Sequence, residues 1–476
     1  MIPLTLADVA AATSGDLSGD FSPNAAVTGP VVIDSRQVVP GALFAALPGE
    51  HVDGHDYAAA AARQGAAAIL AARPLPAAGA PVIVVSDVTL ALGMLARAVL
   101  DRLPDATVVG ITGSSGKTST KDLTAQVVER IGPTIAPEGS LNNEIGLPLT
   151  VLRADETTRY LVLEMSARGI GHIAYLTGIA PPRIGAVLNV GRAHAGEFGS
   201  IDAVAKAKGE LVEALPAGSA GGVAVLNADD PNVAAMAART RARVVTTSVA
   251  RAGQEPQGEA DVRATGLTLD DLGRASFTLH IRAGSAPVTL TLHGGHHVAN
   301  ALAAAAVAAE LGMEATAIAD ALTAATARSK KRMELHERRD GVLVINDAYN
   351  ANPDSTRAAI EALAHLTSNG RRGFAVLGYM AELGDIAAES HEEAGRQAAR
   401  AGAAAVIAVG AGAAPVLDGA RATEAWHGEA IAAPDQRAAV AALQNRLRPG
   451  DVVLVKASKA AGLWQVADGL LAEDEQ

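Results

Sequence analysis

The stretch TVVGITGSSGKTSTKDLTAQVVERI, residues 107–131, decides how this chain is read. Its opening TVVGIT is rich in β-branched and apolar residues, which pack well on a pleated sheet, and predicts a buried strand. Its second half, from Lys117, is amphipathic with a helical period. Between them lies a glycine-rich loop, GSSG. Strand, glycine-rich loop and helix in that order let backbone N–H groups converge on phosphate oxygens, and the helix N-terminus adds its dipole. The candidates for holding a nucleoside triphosphate are Thr112, Gly113, Ser114, Ser115, Gly116, Lys117, Thr118 and Ser119. Lys117 is suited to the β- and γ-phosphates, and the Thr118 hydroxyl to a magnesium ion. The spacing departs from the Walker form, since Ile111 stands five residues before Gly116 where that form has glycine. A bare turn with an exposed lysine is the competing reading, and the flanking strand and helix argue against it.

Outward from the loop, strands and helices alternate. YLVLEMS and IGAVLNVG are further buried strands, which points to a parallel sheet covered on both faces. Upstream, VTGPVVIDSR, GALFAAL, AAAIL and PVIVV form a smaller α/β unit. The stretch 241–292 carries short alternating strands and no strong helix, and is expected to be an antiparallel appendix closed by the helix VANALAAAAVAAELG. After SKKRMEL the rhythm restarts with VLVIND, FAVLG, AAVIAVG and DVVLVKAS, the strands of a Rossmann-like unit. The expected division is 1–88, 89–327 and 328–476.

Composition limits the function. The 476 residues are 49% hydrophobic but only 3% aromatic, so the core is built from Ala, Val, Leu and Ile. A net charge of −12 speaks against a nucleic-acid or membrane-surface binder. There is no cysteine, which excludes disulfides and thiolate chemistry. The start lacks the pattern of a secretory leader, and the Ala-rich run at 301–309 reads as a buried helix. A cytoplasmic, monomeric enzyme is expected, with no stable membrane insertion.

Ligands collect at the carboxyl ends of strands in an open parallel sheet. Glu164 ends one such strand and His194 follows another, so both can share a crevice with Lys117. A carboxylate and an imidazole are possible Mg²⁺ partners; alone, Glu164 reads equally well as half of an ion pair, and His194 as a packed histidine.

TGSSGKT, LEMSARGIG, NVGRAHAGEFGS and AKAKGE, in this order and at these intervals, resemble the central domain of the Mur ligase family. The resemblance spans nearly the whole chain. It implies an α/β fold of three domains: a small α/β N-terminal domain for the UDP-linked substrate, a central P-loop ATPase-like parallel-sheet domain, and a C-terminal Rossmann-like domain. It implies ATP and Mg²⁺ as cofactors. Lys117, Glu164, His194 and Lys208 become the catalytic set, with Thr118, Glu164, His194 and a carbamylated Lys208 around the metal. Arg332 is implied to meet ATP phosphate after domain closure, Asp347 to lie near the ribose, and Asn300 near the adenine.

Three further segments resemble the family member that joins D-alanyl-D-alanine to UDP-N-acetylmuramoyl tripeptide. IDSRQVVPGALFAALPGEHVDGHDY suggests Ser35 and Arg36 as contacts to the nucleotide part of that substrate. SLNNEIGLPLT suggests Asn142 and Asn143 for its muramoyl peptide, and NDAYNANPDS adds Asn350 and Asn352. The last segment also reads as a turn with a helix cap at Asp354 or Ser355. Tyr379 and Ser166 stand where the family often has Asp and Gly, and Tyr379 is expected near the nucleotide-facing end of a strand. VLVKASKAAG replaces a commoner KGSR form, which weakens the carry-over to Lys456 and Ser458. The rival readings are a diamino-acid-adding or folylpolyglutamate-type ligase of the same superfamily, and a silent nucleotide-binding regulator.

Overall fold

The computed structural model describes residues 1–18, 21–49, 52–191, 195–249 and 260–472. His194 lies outside them. The strand predicted from TVVGIT spans Thr107–Thr112 and sits inside a nine-stranded sheet, hydrogen-bonded in parallel to Tyr160–Glu164 on one side and Ile184–Val187 on the other. The helix predicted from Lys117 spans Lys117–Val128.

Both faces of this sheet are covered, which is why its strands are continuously apolar. On one face Val109, Ile111, Leu123 and Val127 pack with the alanines of the helix His297–Glu310. Ala301 and Ala303–Ala306 are almost wholly buried there. Small side chains let that helix approach closely, and they turn the alanine-rich composition into a dense core. On the other face Leu161, Leu163, Val204 and Leu211 join side chains from the first sheet and from the helix Val88–Asp101 in one cluster. The expected boundary at 88/89 falls in the first turn of that helix.

The first unit has a five-stranded sheet, parallel except for its edge strand Asp16–Ser18. The last has a six-stranded sheet, parallel except for Glu334–Glu337, packed on both faces. The antiparallel appendix expected on the central domain at 241–292 is found except at its first strand, Arg243–Val249, which pairs in parallel. Val262–Leu269, Arg274–Ile281 and Gly284–His293 do pair antiparallel with one another. They continue the central sheet, however, because Arg243–Val249 pairs in parallel with Val223–Asn227 and then with Val262–Leu269. No helix among the described residues is long and apolar enough to cross a membrane.

The third unit folds down onto the carboxyl ends of the central strands. His365 Nε2 lies 2.7 Å from the Asp270 carbonyl, and the Gly196 N–H donates to the Glu382 carbonyl at 3.1 Å. At the second contact a Cβ on Gly196 would lie 2.6 Å from the Gly384 nitrogen, closer than backbone tolerates. Gly196→Ala is therefore expected to hold the third unit off the central one and lower turnover about tenfold through misplaced groups. Its melting temperature should stay near wild type, and steady-state kinetics beside a thermal melt checks both.

Candidate active site

A cleft of about 460 Å³ opens where the three parallel strands end, lined by Ser114–Ser119 from the loop and by Asn300, Arg332, Asp347 and Asn352 from later segments. Gly116 turns the loop with φ +78°, which favours glycine, and a Cβ there would fall 2.5 Å from Asn300 Oδ1 and displace that side chain. The first turn of the following helix leaves N–H groups without intrahelical partners. Those of Ser114 and Ser115 are already taken: both donate to Asn189 Oδ1 at 2.9 Å. Asn189 Nδ2 in turn donates to the Ser115 carbonyl at 3.2 Å. The anion-facing donors are thus the later residues of the motif. Thr112 and Gly113 stay behind the lining, with the Thr112 hydroxyl buried and unpartnered among the described residues.

Lys117 Nζ donates to the Gly113 carbonyl at 2.7 Å. Burial lowers its pKa from the usual lysine value; Glu164 opposes the shift and Arg332 adds to it. An ammonium so desolvated gains most from a bound polyanion. Glu164, at 2% exposure, accepts from Thr118 Oγ1 at 2.8 Å and from Asn142 Nδ2 at 2.6 Å. This joins the phosphate loop, a strand end and the loop 140–146 at one carboxylate. Hydroxyl and carboxylate oxygens are the hard donors that Mg²⁺ prefers, so the residues fit that ion.

Lys208 is only 2% exposed, on the helix Ile201–Glu213, behind the cleft rather than in its lining. Burial drives its pKa well below the usual lysine value, and the charge of Lys117 pushes the same way. No hydrogen bond or ion pair of its amine is found among the described residues. That helix also carries Glu210, whose carboxylate accepts from Gly171 and Ala174 at 2.5 and 3.0 Å and so caps the helix His172–Ile179.

The third unit supplies the opposite wall. Asp347 pairs with Lys456 at 2.7 Å and accepts from the Met333 N–H at 3.0 Å; both side chains of the pair are largely buried. Lys456 also donates to the Asn350 carbonyl at 2.8 Å, and Ser458 Oγ accepts from the Ala381 N–H at 2.9 Å. The helix cap predicted at Asp354 or Ser355 is instead Asn352, which forms a capping box with Ser355 and opens the helix Pro353–Thr367. Proline at the first helical position fixes the start one residue after Asn352. Asn352 Nδ2 also reaches the Ser114 carbonyl at 3.4 Å. Asn352→Ala is expected to cost about 1 kcal/mol in denaturant unfolding. Asn350 is exposed, and its side-chain oxygen accepts from the neighbouring Ala351 N–H at 3.0 Å.

Ser35 and Arg36 stand apart from the cleft, in a short 3₁₀ turn where exposed Arg36 pairs with Asp34 at 2.6 Å. Asn143 lines the cleft and accepts from the Gly146 N–H at 2.9 Å. Ser166 also lines it, whereas Tyr379 does not: its ring stacks on His391 at 5.5 Å, outside the cleft. Tyr379 does follow the carboxyl end of the strand Gly373–Leu377, as expected. His296 and His297 line the cleft too, both kept neutral by burial, His296 with its pKa lowered to about 4. Sequence reasoning missed Asn189 and Glu210. Both lie in quoted motifs, and the polar residue closing an apolar strand was the available signal for Asn189.

Known proteins match this chain along its whole length. Residues 111–308 match the Mur ligase middle domain, 331–459 the Mur ligase glutamate ligase domain, and 30–99 the Mur ligase family catalytic domain. The UDP-N-acetylmuramoyl-tripeptide--D-alanyl-D-alanine ligase of Mycobacterium tuberculosis is 49% identical, over 100% of this chain and 99% of that protein. The Escherichia coli protein of that name is 36% identical over 99% of each. MurF from Acinetobacter baumannii superimposes with a TM-score of 0.87 at 32% identity, covering 99% of both chains. MurF ligase from Thermotoga maritima in complex with ADP gives 0.80 at 29% identity, over 94% of this chain and 98% of that one. Three family models together span most of the chain and named ligases align with it end to end, so the chain belongs to the Mur ligase family.

Proposed function

We propose that this chain uses ATP to join D-alanyl-D-alanine to UDP-N-acetylmuramoyl tripeptide. The observation that carries this is the convergence of Lys117, Glu164, Asn142 and Arg332 on one cleft, in a chain aligned end to end with ligases of that name. The tripeptide's terminal carboxylate attacks the γ-phosphorus, the bond to ADP breaks, and an acyl phosphate forms. The dipeptide's amine then attacks the acyl carbon, loses a proton, and phosphate leaves.

Little covalent help is needed; anions must be aligned and their charge matched. The amides at the start of the helix Lys117–Val128 and the Lys117 ammonium hold the triphosphate tail. Arg332 adds a second cation from the third unit. Asn142 and Asn143 face the muramoyl peptide, and Ser35 and Arg36 serve its nucleotide end. Closure of the third unit keeps water from the acyl phosphate. Thr118, Glu164, His194 and Lys208 would hold Mg²⁺, which when bound neutralises phosphate charge.

The state of Lys208 supports its modification. A neutral buried amine can add to carbon dioxide, giving a carbamate and releasing one proton. The product carries negative charge beside Lys117 and so replaces repulsion by attraction. Carbon-13 bicarbonate should give a carbamate resonance that disappears in a Lys208 variant.

The acyl phosphate makes a specific demand on oxygen. A heavy-oxygen label in the tripeptide's terminal carboxylate should pass to the released phosphate. Label retained wholly in the ligated product would reject this route. The regulator reading loses its support, because Tyr379 lies outside the cleft.

A further inference from the structure

Tyr349 has four partners in two different units. Its hydroxyl lies 2.6 Å from Ser140 Oγ, on the loop that carries Asn142 and Asn143. Its ring lies under the Arg332 guanidinium, 4.3 Å from the centroid, with the Lys459 amine 5.7 Å from the same ring. Its backbone N–H donates to the Lys331 carbonyl at 3.1 Å. Both neighbours of Arg332 are strained: Lys331 and Met333 have φ of +62° and +50°, a region side chains disfavour. Such a conformation persists only where the surroundings impose it. Tyr349 holds one side of it and Asp347, bonded to the Met333 N–H, the other. Arg332 Nε is buried without a partner among the described residues, so the stack on Tyr349 is what orients the guanidinium.

On the far side, Ser140 leads directly to the carboxylate linking the two loops. Asn142 donates to Glu164, and its carbonyl accepts from the Ser166 N–H at 3.0 Å. The loop 140–146 and the cationic arm of the third unit therefore meet at one phenol.

We infer that Tyr349 is a positioning residue that couples closure of the third unit to the loop 140–146, its hydroxyl setting the loop through Ser140 and its ring setting Arg332. This rests on the ligase reading. The two functions separate by substitution. Tyr349→Phe removes the hydrogen bond and keeps the stack; Tyr349→Leu removes both.

The experiment is a double-variant cycle in the full-length chain, with KM for ATP and kcat/KM for UDP-N-acetylmuramoyl tripeptide measured separately. Tyr349→Phe and Ser140→Ala should each lower kcat/KM for the tripeptide about fivefold, the scale of one net hydrogen bond. Combined, they should again lose about fivefold, and KM for ATP should stay at wild type throughout. Tyr349→Leu should in addition raise KM for ATP about fivefold, as the cation–π contact goes. Losses that multiply in the double variant, or Tyr349→Phe at wild-type efficiency, overturn the inference. A wild-type chain that ligates nothing would overturn the ligase reading instead.

Discussion

Lys117→Ala is expected to lower kcat roughly a hundred- to a thousandfold while leaving a folded protein. The magnitude is that of removing one preorganised charge contact from a transition state that gathers negative charge. The stability half follows from the site. Among the described residues this ammonium has one hydrogen bond, to Gly113, and burial holds its pKa below the ordinary lysine value. Deleting it removes a desolvated charge along with that bond, so the two effects offset. Steady-state phosphate release and a thermal melt on the same preparation check the prediction. Turnover near wild type would remove the phosphate-loop assignment.

Lys208→Ala is expected to have a comparable effect, about a hundredfold in kcat, by a different route. The side chain does not line the cleft, so the loss would not come from direct contact with substrate. It would come from losing the anion that the modified amine supplies. Added acetate should restore part of the activity, since a small carboxylate can occupy the vacated space; added bicarbonate should not. In the wild type, carbamate formation needs the neutral amine. The depressed pKa makes that form available below the range in which an ordinary lysine would lose its proton. Raising pH through the folded-state pKa should therefore strengthen bicarbonate activation until the amine is fully neutral. Full activity in Lys208→Ala would contradict the role.

The phosphate loop was legible because each of its signals is local. β-Branched residues, a glycine needed for positive φ, and an amphipathic run lie within one short window, and each specifies its own backbone. Glu164 was legible as a strand-end carboxylate for the same reason. Asn189 was harder, since its partners Ser114 and Ser115 are distant in sequence and a polar residue after a strand usually marks a turn. Glu210 was hidden similarly: the helix end it caps lies far upstream, so no local capping pattern announces it. The cap of the helix Pro353–Thr367 was misassigned because Asn352, Asp354 and Ser355 are all good caps, and the proline decides among them only once the helix start is known. Tyr379 looked like a disturbance at the nucleotide from its strand-end position. The stack on His391 turns it away, a tertiary fact with no trace in the local sequence.

The most direct test of the central claim is ATP-dependent phosphate release with UDP-N-acetylmuramoyl tripeptide, with and without D-alanyl-D-alanine, and the product weighed by mass spectrometry. The account predicts sustained release only when both substrates are present, with one dipeptide added to each tripeptide. Sustained release with a UDP-muramoyl dipeptide and a diamino acid, and none with the tripeptide pair, would contradict it.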